Sequence, residues 1–598
     1  MLPIYKSILE KFNNSTKKIN GKGAKNSLFV GGELNANDLA QKRNAALGFL
    51  TEYRSNRSKL EQLPDLTISV SLYRNTEWFK FFLNSLRAQH YPLNKITLYI
   101  DGRDPAFSVE KLFKSDDEFK DVALIEGVRT GDSSVHHEVL QRSKTDYIFV
   151  VNAGVRLLSD SLVHLVNYAK LDEKDVAAWE ARVKPYESSK YYDPITHETL
   201  FCTLDSVLIR KEAYALLPEN DNEFSVGIMS SALREKGFSI KYVPYAEVMY
   251  YPYLSFNEFQ AGFFSNRAIS NAFVRAKCGS RSDMLAGLKE LGLKALRLKE
   301  KYLITSYIKF LFKASWLRAL TRSETIAPFG SDDSRLQRDG KFHELEVLEA
   351  LVEQPLVSVI VRTYGGRNPK MLKQSLASII GQTYLNIEII ICEDGGSVHQ
   401  DIINEISLEL KEQCSIRYFP LPKKGRSFSG NVGLGKSTGK YCVFLDDDDL
   451  FFPDHIETLV FELIENKRLS ACYALSWEVL TEYNGSPNLY DEKEHVTPKV
   501  FRKKFKYKRL KRVNFMPIQS VLFERRLYEE AGGFLEDQDY LEDWNLWVRY
   551  ASIGVFQLVE KTTSLFRTPS DLKEREKRLS LLNSAYDEIF EINKKMIS

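Results

Sequence analysis

The sequence predicts an α/β protein built as two tandem open-sheet domains joined by a helical connector. Three observations carry that expectation. Short apolar runs alternate with helical patterns, as in parallel sheets covered on both faces. The order of these runs in residues 61–255 recurs in residues 351–570. Finally, 598 residues exceed what one hydrophobic core sustains, whereas two domains of about 200 residues plus connectors account for them. A hydrophobic content of 43% with 12% aromatic residues is enough to fill two such cores.

In the second copy, Leu356–Tyr364 predicts a first buried strand. A helix should follow over Lys370–Gln382, where Met371, Leu372, Leu376, Ile379 and Ile380 recur at helical spacing. A second strand, Ile387–Cys392, runs into Glu393-Asp394-Gly395-Gly396-Ser397. A third, starting at Tyr441, runs without pause into Asp446, Asp447, Asp448 and Asp449. Ligands of open α/β sheets bind at the carboxyl ends of the strands, so these acids stand where a ligand would be. Four adjacent carboxylates repel one another unless something positive joins them, most simply a hard divalent cation shared with substrate phosphates. The alternative is a solvated acidic loop capping the helix that begins near Pro453. A Gly-rich helix start, Lys423–Gly435, precedes the third strand, and Tyr540-Leu541-Glu542-Asp543-Trp544-Asn545-Leu546-Trp547 follows it about ninety residues later.

These motifs, in this order across residues 355–570, resemble the family 2 glycosyltransferases of the GT-A fold. In that family a first strand ends near Thr-Tyr and a second in an acidic pair with Gly and Ser. A third ends in an Asp-x-Asp cluster, and a Glu-Asp-x-x-Leu-Trp helix follows. The resemblance implies a nucleotide-diphosphosugar donor (UDP-, GDP- or dTDP-sugar), a glycan or lipid-linked acceptor, and Mn²⁺ or Mg²⁺. It implies Asp448 as a direct metal ligand and Asp446 at the ribose, the metal or its water, with Asp447 near the substrate. Thr363 and Tyr364 would border base and ribose, Asp394 would accept from the nucleobase, and Arg426 and Asn431 would approach the nucleotide. Asp543 would be the general base with Glu542 beside it, and Trp547 would line the substrate site. Many relatives carry a metal-binding His after the Glu-Asp helix. This chain has Phe566-Arg567, so Arg567 is expected to neutralise diphosphate instead.

The first copy repeats the plan without the chemistry. Thr67–Tyr73 parallels the first strand, and twelve residues after Gln89 and after Gln382 comes Asp-Gly, at Asp101 and Asp394. The third strand, Tyr147–Val151, ends in Asn152-Ala153-Gly154 where the second copy has Asp446-Asp447-Asp448. Val207–Arg210 parallels Val521–Glu524, and Ser225 and Val226 occupy the places of Glu542 and Asp543. This copy is therefore expected to be a degenerate GT-A-like domain, with Asp101 facing a nucleobase. A metal-independent second transferase, making the chain bifunctional, is the alternative, as is a noncatalytic scaffold.

The expected organisation is a helical extension over 1–60, the degenerate domain over 61–255, and a helical connector and linker over 256–350. The catalytic domain over 351–570 and a C-terminal helix over 571–598 complete it. Six scattered cysteines without paired metal spacing read as buried thiols of a reducing compartment. His136-His137 reads as surface. No signal peptide and no spanning run is expected, so the location is cytoplasmic, possibly peripheral at the inner face of a membrane. The apolar positions of Met284–Arg322, interrupted by Lys309, Lys313 and Arg318, suit packing between domains or a lipid interface. Lys499–Arg512 holds nine cations and no acid in fourteen residues, which points to an anionic acceptor or leaflet. Net charge is only +3, so the patch is local, and no nucleic-acid module accompanies it. The helix Asp571–Met596 is expected to pack on its own domain or on a neighbouring subunit; the oligomeric state stays open.

Overall fold

The computed structural model describes residues 36–250 and 354–595, apart from 73–77, 102–117, 126–133, 159, 185–191, 200–201, 203–205, 218–225, 367, 411–413, 484–489, 497, 499 and 539. It adds residues 285, 288–289 and 292. Most of the predicted connector, the boundary after it, Ser225 and Lys499 therefore lie outside the described residues. The chain divides into two compact units, one built mainly from residues 48–346 and the other from 33–47 with 347–598. The helix Ala36–Asn56 contributes to both.

The N-terminal unit holds strands β1 (Leu66–Ser71), β2 (Ile96–Asp101), β3 (Asp121–Ile125), β4 (Tyr147–Asn152), β5 (Val155–Leu157), β6 (Val176–Lys184), β7 (Glu198–Thr199), β8 (Ser206–Arg210) and β9 (Ser239–Tyr250). They form one sheet in the order β3-β2-β1-β4-β8-β6-β9-β5, with β7 on β9. The central strands β1 and β4 are buried along their whole length, which is why they read as continuous apolar runs.

The C-terminal unit holds β10 (Val357–Tyr364), β11 (Ile387–Asp394), β12 (Ser415–Leu421), β13 (Tyr441–Asp446), β14 (Leu450–Phe451), β15 (Ala471–Tyr483), β16 (Tyr490–Val496), β17 (Val521–Glu524) and β18 (Phe556–Pro569). Their order is β12-β11-β10-β13-β17-β15-β18-β14, with β16 on β15. Along the eight-strand path this is the order of the first sheet, and the copies differ in the strand off the path, which joins the counterpart of β18 in one and β15 in the other, so the internal repeat is a repeat of topology. β10, β11, β12 and β13 pair in parallel and carry their carboxyl ends to one edge. The acid-ending loops thereby share a rim.

Register corrects one expectation. Through its pairing with β1, Asp101 falls at the place that Cys392 holds beside β10, not at the place of Asp394. The equal spacing after each glutamine hides a longer connection before β2 than before β11. Asp101 is therefore two positions short of the nucleobase position expected for it.

The helix Arg426–Lys436 lies on β10 and β11 through its glycines. A Cβ at Gly433 would stand 2.3 Å from Ile360 Cγ2, and one at Gly430 2.5 Å from the Phe534 ring. The helix Leu572–Lys595 packs on its own unit, with Ile589 fully buried and Tyr586 stacked on Trp544 at 5.2 Å. His136 is buried against the Ser69 hydroxyl at 2.8 Å, contrary to the surface reading. No helix among the described residues is long and apolar enough to cross a membrane.

Candidate active site

The acidic loop at the end of β13 alternates its carboxylates. Asp447 is buried and accepts a 2.6 Å hydrogen bond from the Thr363 hydroxyl. Asp449 is also buried, and its Oδ1 accepts from the Arg567 backbone N–H at 3.3 Å. Asp446 and Asp448 remain partly exposed. Only these two of the four acids are placed to meet a ligand, and Asp447 and Thr363 are fastened to each other rather than open to substrate. The helix Pro369–Ile380 holds the turn from below, where the Ser375 hydroxyl donates to the Asp449 carbonyl at 2.7 Å.

Arg362, the one charged residue within β10, organises the rim. Its Nε and Nη2 donate to the two carboxylate oxygens of Asp446 at 2.7 and 2.9 Å. Its Nη1 donates to Glu542 at 3.1 Å. Burial alone would lower the guanidinium's pKa, but the Asp446 and Glu542 carboxylates outweigh that and raise it. One buried cation thus joins the acidic loop to the helix Glu542–Ile553.

That helix starts at Leu541, which adopts a left-handed backbone (φ 57°), and presents Glu542 and Asp543 in its first turn. Asp543 is partly exposed, accepts from Asn514 Nδ2 at 2.8 Å, and accepts from the Trp544 backbone N–H at 2.8 Å. Burial, and then the Glu542 carboxylate, push its carboxyl up to about 7. A carboxyl titrating there is matched to accepting a proton near neutral pH.

At the other side of the rim, Tyr364 is 46% exposed. Asp394 accepts from the backbone N–H groups of Lys424 (2.6 Å) and Gly425 (3.1 Å), which ties β11 to the start of the helix Arg426–Lys436. The Arg426 side chain is 54% exposed and lies 4.0 Å from Glu542. Tyr364, Asp394, Arg426, Asp446, Asp448, Glu542 and Asp543 are the predicted residues left with surface or partners at this rim.

Three expected contacts are corrected. Trp547 has no exposed surface; its indole N–H donates to the Met516 carbonyl at 3.2 Å and its ring meets Phe523, so it is core. Asn431 accepts from the Phe534 N–H at 2.6 Å and donates to the Phe534 carbonyl at 3.0 Å, so it clamps the loop after Gly533 instead of approaching a nucleotide. Arg567 is buried behind the acidic loop. Its Nη1 donates to the Asp448 carbonyl at 2.5 Å, its Nη2 to Gln374 and Tyr490 at 3.1 Å each, and its guanidinium covers the Tyr490 ring. Such a group positions Asp448 from the rear.

Residues that the sequence did not point to complete this support. Arg43 is fully buried, forms an ion pair with Glu492, and donates to the Tyr490 hydroxyl at 3.1 Å. Asn44 accepts from Gln374 at 2.8 Å. Burial alone would raise the Glu492 carboxyl, but Arg43, His495 and Arg567 hold it well below the usual carboxylate range.

Among the described residues no three His, Cys, Asp or Glu side chains converge as a metal cluster. The available donor set is Asp448 with Asp446 beside it, which suits only a hard cation that takes its remaining ligands from phosphate and water. Burial, and then the charges of Asp448 and Asp446, raise the Asp449 carboxyl well above its ordinary value. Neighbouring negative charge is thus one cause of that rise, after burial, and it is the kind of charge a hard cation offsets.

Residues 358–531 match the sequence profile of Glycosyl transferase family 2. The matched segment is less than a third of the chain. It contains β10 to β17 and the acidic loop and ends before the helix that bears Asp543. An uncharacterized glycosyltransferase of Rickettsia bellii is 33% identical over 164 residues, 26% of this chain and 23% of its own length. Glycosyltransferase GlyA of Streptococcus pneumoniae serotype 4 is 30% identical over 193 residues, 31% of this chain and 27% of its own length. The chain thus spans about a quarter of the length of these curated relatives. Among solved structures, S. aureus TarS 1-349 in complex with UDP-GlcNAc aligns at 16% identity and a TM-score of 0.29, over 36% of this chain and 59% of its own. That overlay is too weak to bear on ligand or mechanism.

Proposed function

We propose that the C-terminal unit is a divalent-cation-dependent, inverting glycosyltransferase that moves a sugar from a nucleotide-diphosphate donor to a hydroxyl of a glycan or lipid-linked acceptor. The observation that carries this reading is the bridge Asp446–Arg362–Glu542, which holds the acidic loop beside the helix that presents Asp543. The match of residues 358–531 to glycosyl transferase family 2 supports it.

On this reading the acceptor hydroxyl attacks the anomeric carbon from the face opposite the diphosphate. Its proton passes to the Asp543 carboxylate, the anomeric C–O bond breaks, and the nucleoside diphosphate leaves with the electron pair. A single displacement of this kind inverts the anomeric centre. Mn²⁺ or Mg²⁺ held by Asp448 with Asp446 would supply positive charge to the departing diphosphate. Arg362 keeps Asp446 oriented, Arg567 keeps the Asp448 backbone in place, and exposed Tyr364 and Arg426 border the donor. The buried thiols of Cys202, Cys392, Cys414, Cys442 and Cys472 agree with a reducing, cytoplasmic location.

For the N-terminal unit a noncatalytic, nucleotide- or carbohydrate-binding role is favoured over a second transferase. The register positions of Arg362 and Asp446 are held there by Ser71 and Asn152, so both charges of the pair are missing together.

Donor turnover tests the reading: Asp543→Asn should bind nucleotide with wild-type affinity and transfer sugar at least a hundredfold more slowly. Wild-type transfer by this variant would remove Asp543 from the mechanism.

A further inference from the structure

The cationic run after β16 is not a loose loop. Its apolar residues are pegged inward: Phe505 stacks on Phe556 at 5.5 Å, Phe501 meets Phe566 at 5.9 Å, and Leu510 is fully buried. Its backbone is tied to the helix of Asp543, because the Leu510 carbonyl accepts from the Trp544 indole at 2.5 Å and the Arg512 carbonyl accepts from Tyr586 at 2.6 Å. Two residues on, Asn514 bonds Asp543 itself.

What remains outward is charge. Lys503, Lys504, Lys506, Lys508 and Arg512 are exposed. Among the described residues none of them forms an ion pair, although other cations of this unit, such as Arg417 with Glu388 and Lys561 with Asp454, do. Like charges held this close repel one another and are retained at a cost unless a polyanion joins them. The stretch between β15 and β17 that carries them is also longer than its counterpart between β6 and β8, so the ledge accompanies the copy that has the acids. No residue of 500–512 is an exposed large apolar side chain, so the ledge offers nothing to insert into lipid.

Resting on the transferase reading above, we infer that Lys503–Arg512 forms the acceptor-binding ledge and that the acceptor is a phosphate-bearing glycan chain, laid along these cations so that a hydroxyl reaches Asp543. A polymer is favoured over a bilayer because the run is tied through Leu510 and Asn514 to the helix start that bears Asp543.

The test is equilibrium binding of fluorescent inorganic polyphosphate to the full chain and to K503Q/K504Q/K506Q/K508Q over a range of salt concentrations. Polygalacturonate, anionic phosphatidylglycerol vesicles and nucleoside diphosphates are measured in parallel. The wild type should bind polyphosphate more tightly than polygalacturonate, and the variant should bind it at least tenfold more weakly. The slope of log affinity against log salt should be shallower by about three in the variant, as expected for roughly 0.7 per phosphate contact in a single-stranded polyanion. Nucleotide binding and melting temperature should not change. Equal polyphosphate binding by the variant, equal binding of polygalacturonate, or binding to vesicles alone would overturn the inference. Salt-dependent polyphosphate binding without any nucleotide binding by the wild type would instead contradict the donor reading and leave the ledge standing.

Discussion

Arg362 and Asp446 stand side by side on the neighbouring parallel strands β10 and β13 and are joined by two hydrogen bonds of 2.7 and 2.9 Å. The same guanidinium reaches Glu542, so a contact between strands becomes the link between the acidic loop and the helix that bears Asp543.

Removing that cation takes from Asp446 and Glu542 the buried guanidinium they share. Arg362→Ala should destabilise the C-terminal unit by about 3–5 kcal/mol. Arg362→Lys keeps charge but loses the paired geometry, so chemical denaturation should place it between the two. Equal stability of Arg362→Ala and wild type would show that the bridge does not hold the rim together.

Asp543 should impose a pH limit on transfer. Its carboxyl faces Glu542, Arg362 and Asn514 and titrates at about 7, so transfer per bound substrate should fall tenfold per pH unit below that value. Asn514→Ala removes a hydrogen bond that favours the charged form and should move this limb to higher pH. The stability sign is the reverse of a salt-bridged acid. The native state holds this proton up to about 7, and the unfolded chain releases it near 3.9. The stability it contributes is therefore complete below the unfolded value and lost as pH rises through the native one. Asp543→Asn should abolish that loss. A flat rate profile from pH 5 to 8 would exclude Asp543 as the base.

Arg43 should matter to a site it never touches. Arg43→Ala leaves Glu492 buried without its main partner and should cost about 3–5 kcal/mol, and it should weaken donor binding because Arg567 and the Asp448 carbonyl share the network. Glu492 has a depressed carboxyl pKa, so its contribution is present above the ordinary carboxylate range and lost as pH falls below it. Wild type should therefore lose more stability than Glu492→Gln on acidification, which urea melts at pH 3 to 7 will show.

Trp547→Ala should act on folding alone, lowering stability by about 3–5 kcal/mol as a large core truncation does. The folded fraction should keep its apparent donor affinity. A selective change in KM without loss of stability would return Trp547 to the binding site.

The strands and the acid-bearing ends were legible because they are local: an apolar run of buried length followed at once by carboxylates needs no knowledge of the rest of the chain. Which of the four acids face outward was not legible, since Thr363 and Arg567 decide it from other strands. Arg362 carried a signal, a lone cation in an apolar strand expected to neighbour an acid-ending one. Arg43 carried none, because its partner Tyr490 lies 447 residues away. Asn431 and Gly433 matched a family pattern for a packing reason, the close approach of a helix to Ile360. Asp101 misled because equal spacing does not guarantee equal register.

The central claim is that Asp448 and Asp446 form a cation-assisted nucleotide-diphosphate site. It is tested most directly by thermal stabilisation with UDP, GDP, dTDP or CMP, with and without Mn²⁺, on wild type and Asp448→Ala. A Mn²⁺-dependent rise in Tm with one nucleotide, lost in Asp448→Ala, is the result this account predicts. No shift with any nucleotide, or a shift that Asp448→Ala retains, would contradict it.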